Sequence, residues 1–465
     1  MSLIPKNSAL AKILTLLALL LLLCIPLSQI ESLVQERGQS QQSASQELAS
    51  THTGSQTLVG PVLVIPYAEH WFEQQRGDKG QPIGRVARSR ESVHLVFPEK
   101  LNIDGQLSPQ ERYRGLFKVL FYRLDARLSG RLAGFDPAKL PRAEKDSSLE
   151  LRAPVLALGL GDVRGIEASP QLTAAGQALR FAQRVPAVGD SSWLGRGVHA
   201  PLAGAALQTF EKGQPIDFDL KIALVGHEKL AIAPLGDDTT AHLTSPWPHP
   251  SFGGRFLASQ RSVSPAGFDA TWRISSLVSS ARAQLVQTLP HRGNGGGAAA
   301  APLDTFDVTL TEPLKVYAMT QRAVKYGALF VGLTLMAVFM FEIFRSLRLH
   351  PVQYGLVGMS IALFFLLLLA LSEKIDFGLA YAAAAGASTL LLAVYFSALL
   401  QSASRGLSLA GYVGVLYAAL YGLLVSESNA LLLGALLLFA MLAALMLVTR
   451  KVNWYSLSTA PVQPL

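Results

Sequence analysis

The last third of the chain contains five long apolar blocks that are separated only by short charged clusters. They cover residues 327–344, 352–371, 377–400, 407–425 and 430–448. A helix rises about 1.5 Å per residue, so roughly 18–20 residues cross the hydrocarbon core of a bilayer, which is about 30 Å thick. Because lipid offers the backbone no hydrogen-bond partners, an apolar block in a membrane has to be helical. The pattern predicts a bundle of five transmembrane helices over residues 326–449.

A sixth apolar run, residues 13–30, lies near the N-terminus behind Lys6 and Lys12. A cleaved signal peptide is the alternative, because positive residues before an apolar core are typical of one. The residues that follow the apolar core offer no small-x-small cleavage site. We therefore predict a retained anchor over residues 1–30, helical from about residue 10, in which Cys24 is an apolar packing residue.

Charge asymmetry predicts the orientation of these helices, because Lys and Arg concentrate on the cytoplasmic side of membrane proteins. A cytoplasmic N-terminus puts most of the basic loop residues on one side, and the short loops 372–376 and 426–429 on the other side are net acidic. The pattern predicts six membrane spans, with both chain termini in the cytoplasm and residues 31–325 on the opposite side of the membrane. Residues 450–465 are predicted to form a cytoplasmic tail. The basic residues that fall inside are Lys6, Lys12, Arg345, Arg348, Arg405, Arg450 and Lys451.

Residues 31–325 are long enough to form a core of their own. Residues 31–55 are polar and predict a helical stalk. Further on, apolar and polar residues alternate over 120–128, 216–224, 268–274 and 306–310, which is typical of half-buried strands. We predict an antiparallel, sandwich-like β domain over 56–318, with a flexible Gly/Ala loop at 292–302. The fold class is thus an α+β membrane protein.

Composition excludes several functions. The single cysteine excludes a disulfide framework. None of the nine histidines has metal-site spacing, and no phosphate-binding or dinucleotide motif is present, so we expect no cofactor, metal or catalytic residue. The net charge of +8 does not predict a nucleic-acid partner, because half of it lies at the two chain ends and the rest forms no basic run.

One proline-rich string in the soluble part is a candidate binding site. Three prolines surround Trp247 and His249 in residues 246–252, so this string is a loop or a sheet edge. An exposed Trp beside a His is able to stack on a sugar. The alternative is a rigid corner in which Trp247 covers the core.

Ionisable residues in membrane segments are functional candidates. Glu342, Glu373, Asp376 and Glu427 all lie near predicted helix ends, where we expect water to reach them. None lies at the centre of a block, which argues against a proton-coupled transporter. His350 and Gln353 flank Pro351 at the start of the third helix, where they are either functional or part of a helix start.

Small residues recur four apart on two predicted helices, which lets helix backbones approach closely. We predict that these faces pack inside the bundle or against a partner helix, and that Gly414→Leu lowers accumulation of the folded protein. The residues are Gly406, Ala410, Gly414, Ala418 and Gly422 on the fifth of the six predicted membrane helices, and Gly378, Ala382 and Gly386 on the fourth.

The layout and several strings resemble the CreD family of bacterial inner-membrane proteins. The matching strings run in order from the first helix to residues 453–455. They include QTLVGP at 56–61, RYRG at 112–115, SPWPHPSF at 245–252, RAVKYG at 322–327 and LHPVQY at 349–354. Lys374 and the pair Ser428-Asn429 depart from the family pattern, which puts any role of those two loops in doubt.

The resemblance implies a cell-envelope integrity protein of the Gram-negative inner membrane, tied to an envelope-stress regulon, with residues 31–325 in the periplasm. It implies no known reaction. The favoured hypothesis is a non-enzymatic protein whose β domain binds an envelope protein, glycan or lipid while the helices lie in the bilayer. The alternative is an enzyme or transporter acting on lipid or cell-wall precursors, in which case Glu373, Asp376, Glu427, Trp247 and His249 should converge on one pocket.

Overall fold

The computed structural model describes residues 8–76, 82–115, 117–142, 144, 146–289, 302–311, 316–345, 349–426 and 430–450. The chain forms two compact units. The helical unit combines Met1–Gln42 with Leu314–Leu465, and the β unit is Ser43–Pro313. The predicted Gly/Ala loop and the predicted tail lie outside the described residues except for Pro302 and Arg450.

The described residues form nine α-helices. Helix α1 is continuous through the predicted anchor and most of the predicted stalk, with Pro26 inside it. The bounds are α1 Ser8–Thr51, α2 Ala205–Glu211, α3 Ala281–Gln287, α4 Val316–Lys325, α5 Gly327–Arg345, α6 Pro351–Ser372, α7 Phe377–Leu399, α8 Ala403–Val425 and α9 Ala430–Thr449.

Four of these helices, α1, α6, α7 and α8, are long and apolar enough to cross a membrane. Helices α4 and α5 meet at a bend of 43° and count as a fifth if the pair is one span. The last predicted block, residues 430–448, forms α9, which has 20 residues and whose side chains are described only in part. The structure therefore contains several apolar helices able to span a membrane, and the six-span topology stays a prediction.

Two large sheets make up the β unit. The first has strand order β14-β17-β12-β1-β6-β10-β9, with β2 and β5 also paired to β1; the second has order β15-β16-β13-β3-β4-β11-β7-β8. The bounds are β1 Gln56–Arg76, β2 Pro82–Val96, β3 Pro98–Arg114, β4 Phe117–Leu132, β5 Ser148–Leu151, β6 Val155–Leu160, β7 Gln171–Ala174, β8 Gln177–Leu179, β9 Ala182–Gln183, β10 Val198–Pro201, β11 Ile216–His227, β12 Lys229–Ile232, β13 Asp238–Ser245, β14 Pro250–Gly254, β15 Gln260–Ser264, β16 Gly267–Ser275 and β17 Phe306–Leu310.

One hydrophobic cluster holds inward side chains from both sheets, including Leu63 of β1, Leu101 of β3 and Trp272 of β16. Its members alternate with exposed polar residues, as in β11, so the four strands predicted from alternation are confirmed. Stacked faces of this kind are typical of a sandwich.

The prediction of an antiparallel β domain is correct for most of the described strand pairs but not for all, because the sheets are mixed. Strand β1 pairs in parallel with β12, and β3 pairs in parallel with β13. Both pairs join strands that are far apart in the sequence. Alternation reveals which face of a strand is buried, and it carries no information on the direction of a distant neighbour.

Candidate functional site

Glu342 on α5 is the centre of a buried polar cluster in the helical unit. Its carboxylate accepts hydrogen bonds from the Lys12 ammonium of α1 and the Tyr354 hydroxyl of α6. The backbone N–H of Leu349 donates a third hydrogen bond at 3.1 Å. Only 4% of the Glu342 side chain is exposed, so the prediction that water reaches it was wrong. The buried carboxylate is thus satisfied by three donors, one of them cationic.

His350 and Gln353 lie directly beside this cluster, at the start of α6. The His350 Nδ1 accepts from the Val352 N–H at 3.3 Å, and the Gln353 Oε1 accepts from the His350 N–H at 2.9 Å. Together they form a capping box, with Pro351 in the first turn. The helix-start interpretation of these two residues is thus confirmed, and a further role stays a prediction.

Glu373 forms the second polar cluster of the helical unit, at the C-terminal end of α6. Its Oε1 accepts a hydrogen bond from the Tyr317 hydroxyl of α4 at 3.1 Å and lies 3.8 Å from Nε of Arg37 on α1. The side chain is 14% exposed. The neighbouring Asp376 caps α7 by accepting from the Gly378 N–H at 2.8 Å.

Helix α1 supplies the cation to both clusters. Lys12 and Arg37 are 25 residues apart on one helix, which is a rise of about 38 Å. This separation lies between the thickness of the hydrocarbon core, about 30 Å, and that of the whole bilayer, about 40–45 Å. The two ion pairs are therefore about one membrane thickness apart along α1.

Between the two ion pairs, α1 packs closely against the bundle. Leu23, Leu27, Ile30 and Val34 are buried in the main hydrophobic cluster of the helical unit. A Cβ on Gly358 of α6 would lie 2.2 Å from Cδ1 of Leu23. The absence of a side chain at residue 358 therefore lets α1 and α6 approach each other.

Four residues of these clusters were missed at the level of sequence: Lys12, Arg37, Tyr317 and Tyr354. Lys12 was interpreted only as a topology signal, and Arg37 only as part of a polar stalk. Lys12 and Arg37 nevertheless lie on one helix, on either side of its apolar run. A search for cations one membrane thickness apart would have found the pair.

The last turns of α1 belong to the β unit and are held there by a third set of contacts. Ser45 Oγ lies 3.0 Å from His227 Nε2 of β11. Leu48 is buried in a small cluster with Val119, Phe121 and Val225. Glu47 forms an ion pair with Arg114. Burial lowers the pKa of His227, and the nearby Glu228 carboxylate acts in the opposite direction.

Trp247 and His249 lie in a rigid corner of the β unit. The Trp247 indole N–H donates to the carbonyl oxygen of Thr311 at 3.1 Å, and the Thr311 hydroxyl donates to the carbonyl oxygen of His249 at 2.9 Å. Trp247 packs on the core, whereas His249 is exposed. These contacts fit the rigid-corner alternative, and a sugar-binding role for the pair stays a prediction.

The predicted packing stripe on α8 divides into two parts. Gly406 and Ala410 are buried, and a Cβ on Gly406 would lie 2.4 Å from the backbone nitrogen of Ser397 on α7. Ala418 and Gly422 are exposed. Gly414 lines a groove of about 770 Å³ between α7 and α8, together with Ala382 and Gly386 of the second stripe. Packing within the chain thus involves the first two residues.

The enzyme or transporter alternative predicts that three acids, Trp247 and His249 converge on one pocket, and the structure describes only some of these residues. Glu427 lies outside the described residues. Glu373 and Asp376 belong to the helical unit, whereas Trp247 and His249 belong to the β unit. Within the described ranges, no group of three or more His, Cys, Asp or Glu side chains is arranged to hold a metal ion.

Comparison with solved structures gives only distant similarity. An M1 zinc metallopeptidase from Deinococcus radiodurans matches with a TM-score of 0.20 and 11% identity, covering 80% of this chain and 95% of that one. Its E323A mutant matches with a TM-score of 0.21 and the same identity, covering 80% and 96%. Similarity at this level carries no argument about this chain.

Comparison with protein families and curated proteins is far closer. The family model described as "Inner membrane protein CreD" matches residues 8–455. The inner membrane protein CreD of Escherichia coli K12 is 34% identical over 453 residues, which cover 97% of this chain and 95% of that protein. The match takes in both units, the clusters around Glu342 and Glu373, and the corner at Trp247. The chain therefore belongs to the CreD family of inner membrane proteins.

Proposed function

We propose that this protein is a non-enzymatic component of the inner membrane that supports envelope integrity and the envelope-stress response. Its β unit faces the periplasm and binds an envelope protein, glycan or lipid, and both termini lie in the cytoplasm. The observation that carries the proposal is α1, a single helix that starts in the helical unit and ends in the β unit.

Side chains of both units bind α1 specifically. In the helical unit, Lys12 pairs with Glu342 and Arg37 with Glu373. In the β unit, Ser45 contacts His227 and Leu48 is buried. Because a helix transmits displacement and rotation along its axis, a ligand that shifts the last turns of α1 would bias the contacts at the other end. Coupling of this kind suits a protein that reports the state of the envelope.

Of the three acidic residues that the rival enzyme or transporter would need, Glu373 and Asp376 already have structural partners, and Glu427 lies outside the described residues. Glu342 accepts three hydrogen bonds, Glu373 accepts one and faces Arg37, and Asp376 caps a helix. These contacts give the three carboxylates structural roles that require no reaction. This favours the non-enzymatic proposal.

Complementation of a deletion strain tests the proposal. Cells lacking the gene receive wild type, Glu342→Gln, Glu373→Gln or the control Glu111→Gln, whose carboxylate forms an exposed ion pair with Lys118. Survival is then measured under detergent and large-antibiotic challenge, at matched abundance of the protein in the membrane. We expect the first two variants to lose most of the protection and the control to keep it, since exposed pairs contribute little.

A charge-swapped double variant makes the test specific. Lys12→Glu combined with Glu342→Lys should recover part of the protection that either single change removes, because it restores the ion pair with reversed polarity but not the hydrogen bonds from Tyr354 and Leu349. Deletion cells that resist the challenge as well as the parent would overturn the envelope role. Accumulation of a lipid-linked precursor in those cells would favour the enzyme or transporter instead.

A further inference from the structure

The hairpin of β1 and β2 extends beyond the sheet that carries it. Strand β1 pairs with β6 up to Val64 and with β5 from Tyr67 to His70. From Trp71 onward, its described partner is β2 alone. We call the residues Trp71–Arg76 and Pro82–Arg88 the ribbon. A two-stranded ribbon is marginally stable by itself in water, so a docking surface would stabilise it.

The strand register sorts the ribbon side chains onto two faces, since directly opposite residues share a face. Phe72 lies opposite Ala87, and Gln74 lies opposite Arg85. We call these four residues the Phe72 face. Phe72 is 71% exposed, so most of its ring is available for contact with a partner.

The other face of the ribbon is electrically balanced. It carries Trp71 opposite Arg88 and Glu73 opposite Val86. Arg88 and Glu73 form an ion pair at 2.8 Å. On the Phe72 face, by contrast, Arg85 is exposed and has no acidic partner among the described residues. The Phe72 face therefore presents an aromatic ring close to an uncompensated guanidinium.

The ribbon also carries the excess charge of the β unit. Its residues include three arginines and one glutamate, a net charge of +2. Residues 43–313 as a whole have 28 basic and 26 acidic residues, which is also +2. The rest of the β unit therefore has no net charge, and the net positive charge of the unit lies in the ribbon that carries Phe72.

We propose that the Phe72 face binds the surface of an anionic phospholipid bilayer, with the Phe72 ring at headgroup depth and Arg85 against a lipid phosphate. Aromatic rings concentrate at the membrane interface, and each Lys or Arg near an anionic surface contributes about 1 kcal/mol of attraction. A bilayer is always within reach of a protein of this family. Addition of a partner strand is the weaker alternative, because arginines along an edge strand such as β2 discourage it.

Lipid quenching of a single label on the full-length protein tests the proposal. In a Cys24→Ser background, which removes the only native cysteine, Gln74→Cys places a fluorophore on the Phe72 face. Tyr113→Cys, at another exposed hairpin position, is the matched control. Both proteins are reconstituted into phosphatidylcholine vesicles with or without phosphatidylglycerol, containing brominated acyl chains as quencher.

In anionic vesicles, we expect the label at residue 74 to be quenched at least about twofold more than the label at residue 113. The label at residue 74 should also be quenched at least about twofold more in anionic vesicles than in neutral vesicles. Arg85→Gln, which should leave the ribbon folded, and 0.5 M salt should each reduce the difference, because both weaken attraction to the phosphates. Equal quenching at the two labels in anionic vesicles would overturn the proposal. So would a label at residue 74 that is shielded from aqueous iodide but not quenched by lipid, which would indicate a protein partner.

Discussion

Gly406 provides the sharpest test of how the helical unit is packed. A Cβ at this position would lie 2.3 Å from the hydroxyl oxygen of Ser397 and 2.5 Å from its Cα. The serine backbone cannot rotate away, and only three residues connect α7 to α8. Gly406→Ala therefore has to push the two helices apart by about 1 Å.

The size of the effect follows from two opposing terms. Overpacking costs about 1–3 kcal/mol, whereas replacing a helical glycine by alanine contributes up to about 1 kcal/mol of stability. Gly411 lies on the same helix, and a Cβ there would meet nothing within 4 Å. Gly411→Ala thus carries the propensity gain without the clash. The free energy of unfolding of the two variants should differ by about 1–3 kcal/mol.

The single cysteine offers a convenient assay. Cys24 lies in α1, within the helical unit, so a thiol-reactive dye reports the unfolding of that unit in detergent. The fluorescence of the tryptophans in the β unit reports the unfolding of that unit separately. At about 2–4 °C per kcal/mol for a unit of this size, the midpoint of Gly406→Ala should lie about 2–12 °C below that of Gly411→Ala. Equal midpoints, or a lower midpoint for Gly411→Ala, would refute the packing argument.

Two further predictions concern His227 and Gly414. Burial lowers the pKa of His227 from its ordinary value of 6.5. The contribution of the neutral ring to stability is therefore complete above pH 6.5 and is lost as the pH falls below 6.5. Between about pH 7.5 and 5.5, the unfolding midpoint measured by tryptophan fluorescence should fall less for His227→Gln than for wild type. Gly414→Leu should lower accumulation in cells, as the small-residue spacing predicts. Because a Cβ there meets only Thr389 Cγ2 at 3.7 Å, the purified chain should lose less stability than Gly406→Ala does; unchanged accumulation would contradict a partner helix at this groove.

Periodicity predicted the elements of this fold well where one face of an element is buried. The strand predicted at 216–224 forms the first nine residues of β11, and its Ile216, Phe218 and Leu220 lie in the core. Phe121 shows where the rule fails. The pattern assigned it to the solvent face of β4, yet it is buried because the end of α1 covers that face. A contact made by a distant segment leaves no periodic signal in the strand itself.

The candidate site was predicted in part for a similar reason. The four acids of the bundle stood out because charges in apolar segments are rare, and the helix start at His350 stood out because of Pro351. Their partners did not. Lys12 and Arg37 are ordinary basic residues at the flanks of an apolar run, and only the packing of α1 on α5 and α6 brings them to Glu342 and Glu373.

Helix α1 also explains why a polar stalk without an evident apolar stripe folds as a helix. After Val34 its next buried apolar residues are Ala44 and Leu48, and all three positions continue the spacing set by Leu27 and Ile30. The intervening turns carry Arg37 on the same repeat, where the ion pair to Glu373 takes the place of an apolar contact. One face of α1 is thus occupied almost throughout its length, by leucines in the bundle, by a charge at Arg37 and by leucine again in the β unit. A helix held by side chains at both ends would carry a rotation from one end to the other, which is the physical basis of the coupling that we propose.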